Sequence, residues 1–210
     1  MSVMSDTSSR PSLPPITSLP TLSDASLAST LDLLFEPSEE LHALALPVVR
    51  GAAPFASYAE LVEALRQALL DVAARLERGI DVRTLRRQLH AVLESHPRLG
   101  ERRVASPLSA EEQKNLRGGN ADGASQEAED EGLRRLRDLN GEYEKKFPGL
   151  RYVVFVNGRG RDVIIEDMKK RIARGDFAAE EREAINAMCD IAADRAAKLQ
   201  AATLTPSLTS

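Results

Sequence analysis

The residue types that most often carry chemistry are scarce in this chain: three histidines, one cysteine and no tryptophan. One histidine stands in a suggestive neighbourhood, Ser95-His96-Pro97-Arg98-Leu99-Gly100, followed closely by Ser109-Ala110-Glu111-Glu112-Gln113. An unperturbed imidazole titrates at about pH 6.5, so His96 is suited to give or take a proton near neutrality. A second reading stays open, in which the histidine ends a helix and interacts with its free carbonyls. Ser109 and Glu112 have the spacing of a capping box, where each side chain satisfies the other residue's backbone amide. The first turn of such a helix also offers free amides and a positive dipole end to an anionic ligand. Gln113 can donate and accept at a ligand's edge, or be solvated.

Arg195 lies one helical turn from Ile191, Ala192 and Leu199, which places its stem near the apolar side of a helix. A guanidinium there needs an anion. That anion is either a nearby carboxylate such as Asp194 or Glu39, or a substrate carboxylate held bidentately.

Several chemistries are excluded by pattern. There is no glycine-rich phosphate loop after a strand, no Gly-x-Ser-x-Gly elbow and no histidine pair with zinc-helix spacing. Gly158-Arg159-Gly160 reads as a turn. Cys189, being alone, can form neither an internal disulfide nor a cysteine cluster, and reads as a small apolar helix residue. With 28 basic and 32 acidic residues the net charge is −4, so no general attraction to nucleic acid is expected. The basic run Arg134, Arg135, Arg137, Lys145 and Lys146 is interleaved with acids and reads as a solvated face. No apolar run approaches the roughly 20 residues of a membrane span, and no basic segment leads into a hydrophobic one at the N-terminus. The expected location is the cytoplasm, since Leu208-Thr209-Ser210 is not a Ser-Lys-Leu type peroxisomal address.

The elements that must position these residues read as helices. Leu27, Leu31 and Leu34 form a short amphipathic set, and Pro37 can open a helix with Leu41, Leu44, Ala45 and Val48 on its apolar face. Ser57 and Glu60 have capping-box spacing ahead of Leu61, Leu65, Leu69 and Val72. Asp81 is the expected cap of a helix carrying Leu85, Leu89, Val92 and Leu93, which Pro97 ends, so that His96 sits just past a helix exit. A further helix is expected from Ser109, and another from about Leu133 through Leu136, Leu139 and Tyr143. The run Tyr152–Val156 has strand propensity but no partner strand, and is read as an extended, buried crossing segment. Asp162 can cap a helix through Ile164, Ile165, Met168 and Ile172. After Gly175 a long last helix carries Ile185, Met188, Ile191, Ala192 and Leu199. The expected architecture is an all-α, single-domain helical bundle: a disordered arm over 1–25, a folded unit over 26–200 with an exposed insert at 118–132, and a flexible tail over 201–210.

Taken together, the segments resemble the 2-oxo-4-hydroxy-4-carboxy-5-ureidoimidazoline (OHCU) decarboxylase family of urate degradation. The resemblance runs from about Leu33 to Leu199. It is carried by Leu34-Phe35-Glu36, Pro54-Phe55, His96-Pro97-x-Leu99-Gly100, Ser109-x-x-Glu112-Gln113, Leu139-Asn140-x-x-Tyr143-x-x-Lys146-Phe147, Val153-Val154-Phe155 and Ile191-x-x-x-Arg195, in that order. It implies an all-α fold, an anionic ureidoimidazoline substrate, the products (S)-allantoin and carbon dioxide, and no metal or organic cofactor. A homodimer is expected from the resemblance alone. By the same resemblance His96 and Glu112 are the catalytic pair. Pro97, Ser109, Gln113, Arg195 and the backbone of Val153, Val154 and Phe155 bind substrate. The chain departs from the family in having Ala53 where an arginine is common, and in the run Lys146–Tyr152 where Lys-Phe-Gly-Phe-x-Phe is usual. Two alternatives stand beside this reading: a non-catalytic helical binding module with the same fold, and a decarboxylase of a related ureido or keto acid.

Overall fold

A computed structural model describes residues 11–51, 54–101 and 126–204. Among the described residues it contains seven α-helices, one 3₁₀ helix and no strand. The all-α expectation therefore holds. In chain order the 3₁₀ helix is Ile16–Thr21, and the α-helices are α1 Asp24–Leu34, α2 Glu39–Gly51, α3 Tyr58–Glu77, α4 Val82–Glu94, α5 Gln126–Lys146, α6 Arg161–Arg174 and α7 Phe177–Leu204.

The spine is the pair α3 and α7, with α1 and α4 also leaning on α7, α2 on α3 and α4, and α5 against α6. Leu61, Leu65, Leu69 and Ala73 of α3 recur at helical spacing and are buried, as are Ala184, Ile185, Met188, Ile191, Ala192, Ala196 and Leu199 of α7. Because α7 has neighbours on several sides, its buried residues do not confine themselves to one stripe. The alanines let the neighbouring helices approach closely.

Local chemistry sets the boundaries. Ser57 Oγ accepts from Glu60 N at 3.2 Å, and Glu60 Oε2 reaches back to accept from Ala56 N at 2.7 Å, which is the anticipated box displaced by one residue on its return arm. Helix α2 opens two residues after Pro37, where Ser38 Oγ accepts from Leu41 N at 3.2 Å. Two expected caps are corrected. Asp81 occupies the N-cap of α4 but in a left-handed conformation (φ 42°) without a side-chain capping bond, so its carboxylate is turned from the first-turn amides. Gly160, not Asp162, is the N-cap of α6, and Asp162 lies in the first turn, where it meets the positive dipole end instead.

The expected disorder is also corrected over residues 11–25, while residues 1–10 lie outside the described set. Leu19 is fully buried, Tyr58 Oη donates to Pro14 O at 2.8 Å, and Arg50 donates to the carbonyls of Leu19, Pro20 and Leu22. Leu13, Ile16, Leu19 and Leu22 recur every third residue, the period of a 3₁₀ helix, so a segment of polar average composition still presents one apolar edge. At the insert, residues 126–132 belong to α5, which corrects the expected exposed loop over that stretch. Residues 118–125 are outside the described set. Helix α7 continues to Leu204, four residues past the expected end at Gln200.

The crossing segment is as expected. Tyr152, Val153, Val154 and Val156 are buried without strand pairing. Arg171 donates to Val153 O at 3.2 Å, Arg159 donates to Phe155 O, and Arg159 N donates to Val156 O at 2.8 Å. Side chains thus replace the missing neighbouring strand.

Candidate active site

His96 lies two residues beyond the last residue of α4. The exit is closed by Ser95, whose N and Oγ both bond Val92 O, at 3.3 and 2.7 Å. Pro97 then removes the next donor and prevents helix continuation. The chain past it is tied to α5 and to the crossing segment. Asn140 Nδ2 donates to Leu99 O at 3.0 Å, Arg98 pairs with Glu144 at 2.5 and 3.0 Å, and Arg151 Nη1 donates to His96 O at 3.1 Å. Gly100, at φ 84°, turns the backbone against Leu133 and Leu136, a conformation that side-chain-bearing residues adopt at a cost. The His-Pro loop is therefore fixed at both ends.

The Leu-Asn-x-x-Tyr-x-x-Lys-Phe run explains itself as scaffold. Leu139, Asn140 and Tyr143 are buried on α5, and Phe147 is buried just past its end. Asn140 holds the His-Pro loop, and Tyr143 Oη donates to the buried Glu180 at 2.7 Å. Glu180 also accepts from Arg171 Nε at 2.8 Å and from Arg174 at 2.5 Å. Arg171 in turn lies 4.7 Å from the Tyr152 ring centroid.

Arg195 is 1 % exposed and pairs with Glu36 at 2.9 Å. It also donates to Leu34 O and Phe35 O, each at 3.4 Å, carbonyls that the end of α1 leaves without helical partners. The carboxylate partner is thus neither Asp194, which pairs with Lys198 at 2.6 Å, nor Glu39. Glu36 comes from the opposite end of the chain, so the Leu-Phe-Glu and Ile-x-x-x-Arg segments meet in one buried contact.

His96 is partly buried. Burial, with the charges of Arg195 and Arg151 in that order behind it, holds the imidazole pKa down from 6.5 to about 3. The expectation of an imidazole titrating near neutrality is corrected: two guanidiniums and desolvation disfavour its cationic form, and it is neutral at pH 7. A neutral imidazole accepts a proton at one nitrogen and donates from the other.

Of the expected site residues, Pro97 follows His96 at the helix exit and the charge of Arg195 bears on the imidazole. Val153 and Val154 are buried and Phe155 is half-buried on the segment that Arg151 begins. Among the described residues, the amides of Val153, Val154 and Phe155 have no hydrogen-bond acceptor. Ser109, Glu112 and Gln113 lie outside the described residues, as does Ala53. Arg151 is the participant that sequence reasoning missed. Its only signal is a cation placed directly before an apolar run, which does not reveal that the run starts under the His96 carbonyl.

Among the described residues no group of histidine, cysteine and acidic side chains could hold a metal ion, and no helix is long and apolar enough to cross a membrane. Cys189 is buried and its thiol is pushed up to about 12, which leaves it unreactive as a nucleophile at neutral pH. A family model described as OHCU decarboxylase matches residues 20–197. No curated protein matches the chain.

Proposed function

The chain belongs to the OHCU decarboxylase family, and from that premise we propose that it converts OHCU to (S)-allantoin and carbon dioxide, with His96 moving the proton. Membership gives the broader class, decarboxylation in urate degradation. The substrate's structure gives the electron flow. C4 is tetrahedral, bearing the hydroxyl and the carboxylate, so the ring's remaining double bond is the C5=N1 imine beside it. As the bond from C4 to the carboxylate breaks, its electron pair forms a C4=C5 double bond and the imine pair moves to N1, in conjugation with the C2 carbonyl. N1 takes a proton. The resulting enol loses its hydroxyl proton and gains one at C5, leaving the C4 carbonyl of allantoin, so one proton is consumed for each carbon dioxide released. The face on which C5 is protonated sets the configuration.

Each step needs a group of the kind found around His96. A neutral imidazole can take the C4 hydroxyl proton and return a proton to C5, and positioned acid–base groups contribute on the order of 10²–10⁴-fold. Glu112 would orient that imidazole or handle the hydroxyl. The acceptor-less amides near Val154, together with Gln113, are candidate donors to the charge that develops on N1 and the C2 oxygen. Ser109 and Pro97 would shape the substrate's surroundings, and Arg195 would steer a ureido oxygen. Exclusion of water favours departure of a group that loses its charge. The observation that carries the reading is the environment of His96: an imidazole at a fixed helix exit, kept neutral by burial and the charges of Arg195 and Arg151, in a chain matched over residues 20–197.

The test is a coupled assay in which urate oxidase and hydroxyisourate hydrolase generate OHCU in the cuvette and optical activity is followed. The expected result is (S)-allantoin forming faster than the spontaneous reaction. Racemic product at the background rate would instead favour a binding module without chemistry, and turnover confined to another ureido or keto acid would reassign the substrate.

A further inference from the structure

The two guanidiniums that bear on His96 differ in a way the proposed chemistry does not use. Arg195 is charge-compensated, since the buried Glu36 carboxylate sits 2.9 Å away. Arg151 is not: Nη1 donates to His96 O at 3.1 Å, and among the described residues no carboxylate pairs with it. Arg98, on the same loop as His96, is held by Glu144 at 2.5 Å and faces Glu101 at 3.5 Å. Among the described residues, the uncompensated positive charge bearing on the imidazole is therefore that of Arg151.

A half-buried cation without a carboxylate draws its counter-charge from solvent or from a ligand. A guanidinium presents five N–H donors in a planar fork, and one arm bound to a carbonyl leaves an edge free for a carboxylate. We propose that Arg151 is a substrate-binding residue that receives the ligand's carboxylate and gives the site its preference for anionic over neutral cyclic ureides. The identity of that ligand rests on the decarboxylase reading; the preference for an anion does not. Because the carboxylate's charge is lost as carbon dioxide departs, a cation holding it stabilises the bound ground state more than the transition state. Arg151 thus contributes affinity and little rate.

Two experiments decide the assignment. In steady-state turnover of OHCU, Arg151→Gln should raise KM roughly ten- to hundredfold, the range of a lost charged hydrogen bond, with kcat unchanged or raised; Arg151→Lys should recover part of the affinity. A residue that merely props the His96 carbonyl would show the opposite split, with kcat falling and KM steady. At equilibrium, titration calorimetry compares hydantoin-5-acetate with hydantoin. Wild type should prefer the acetate about tenfold or more, and Arg151→Gln, checked for unchanged far-UV circular dichroism, should lose that preference. An equal or absent response of wild type to the two compounds, or an undiminished preference in Arg151→Gln, overturns the assignment. This arm reads out even if wild type does not turn over OHCU, a result that would sink the decarboxylase reading alone.

Discussion

Two sets of arginines can be compared, one at Val153 of the crossing segment and one whose charges bear on His96. At Val153, Arg171 is buried among Glu180, Tyr143 and Tyr152, with Arg174 and Glu183 completing the set at 2.5 Å from one another. Every cation there has a carboxylate. At the segment's start, Arg151 touches the His96 carbonyl and has no carboxylate among the described residues, while Arg195 is matched by Glu36. The same residue type does two jobs, and charge balance separates them. The compensated cluster orders the fold, whereas a cation with no carboxylate among the described residues, bound to the carbonyl of a neutral histidine, is a place where an anion can be accepted.

The largest expected effect is on chemistry: His96→Ala should lower kcat/KM for OHCU by about 10²–10⁴-fold while far-UV circular dichroism and the urea midpoint stay near those of wild type. Turnover within a few-fold of wild type would move the chemistry elsewhere. On the scaffold side, Glu180→Ala leaves Arg171 buried without its closest carboxylate and should cost about 3–5 kcal/mol in urea unfolding. A loss below about 1 kcal/mol would show that the cluster does not hold the fold together.

Two smaller effects sharpen the contrast. Gly149 has φ 85°, and a Cβ there would lie 2.5 Å from His90 Nδ1, so Gly149→Ala should cost about 1–3 kcal/mol, read as a lower thermal midpoint. Ser57→Ala removes the cap of α3 and should cost about 1 kcal/mol with KM and kcat unchanged, since it lies in the scaffold alone.

The helices were legible because their signals are local. Leu85, Leu89, Val92 and Leu93 sit at helical spacing and are buried, Ser57 does cap α3, and Pro97 does place His96 beyond a helix. The 3₁₀ segment was obscured because average composition hides a three-residue apolar period of only four residues, Leu13, Ile16, Leu19 and Leu22. The partner of Arg195 was illegible for a different reason. Glu36 is 159 residues away in sequence, and no local pattern joins a helix C-terminus to a side chain on the last helix. The same holds for Arg151, whose link to His96 spans 55 residues. The pKa of His96 could not be read either, because burial and both charges are products of packing.

That last quantity is where the account is most exposed. With a folded pKa of about 3 against 6.5 for the free group, His96 binds a proton in the unfolded chain between these pH values but not in the folded one. Stability should therefore rise with pH across that window and be eroded as pH falls from 6.5 toward 3. The direct measurement is a nitrogen-15 NMR titration of the imidazoles, with the His96 signals assigned by their loss in His96→Ala. The account predicts that His96 stays neutral from pH 8 down to at least about pH 5; a midpoint near 6.5 would contradict it.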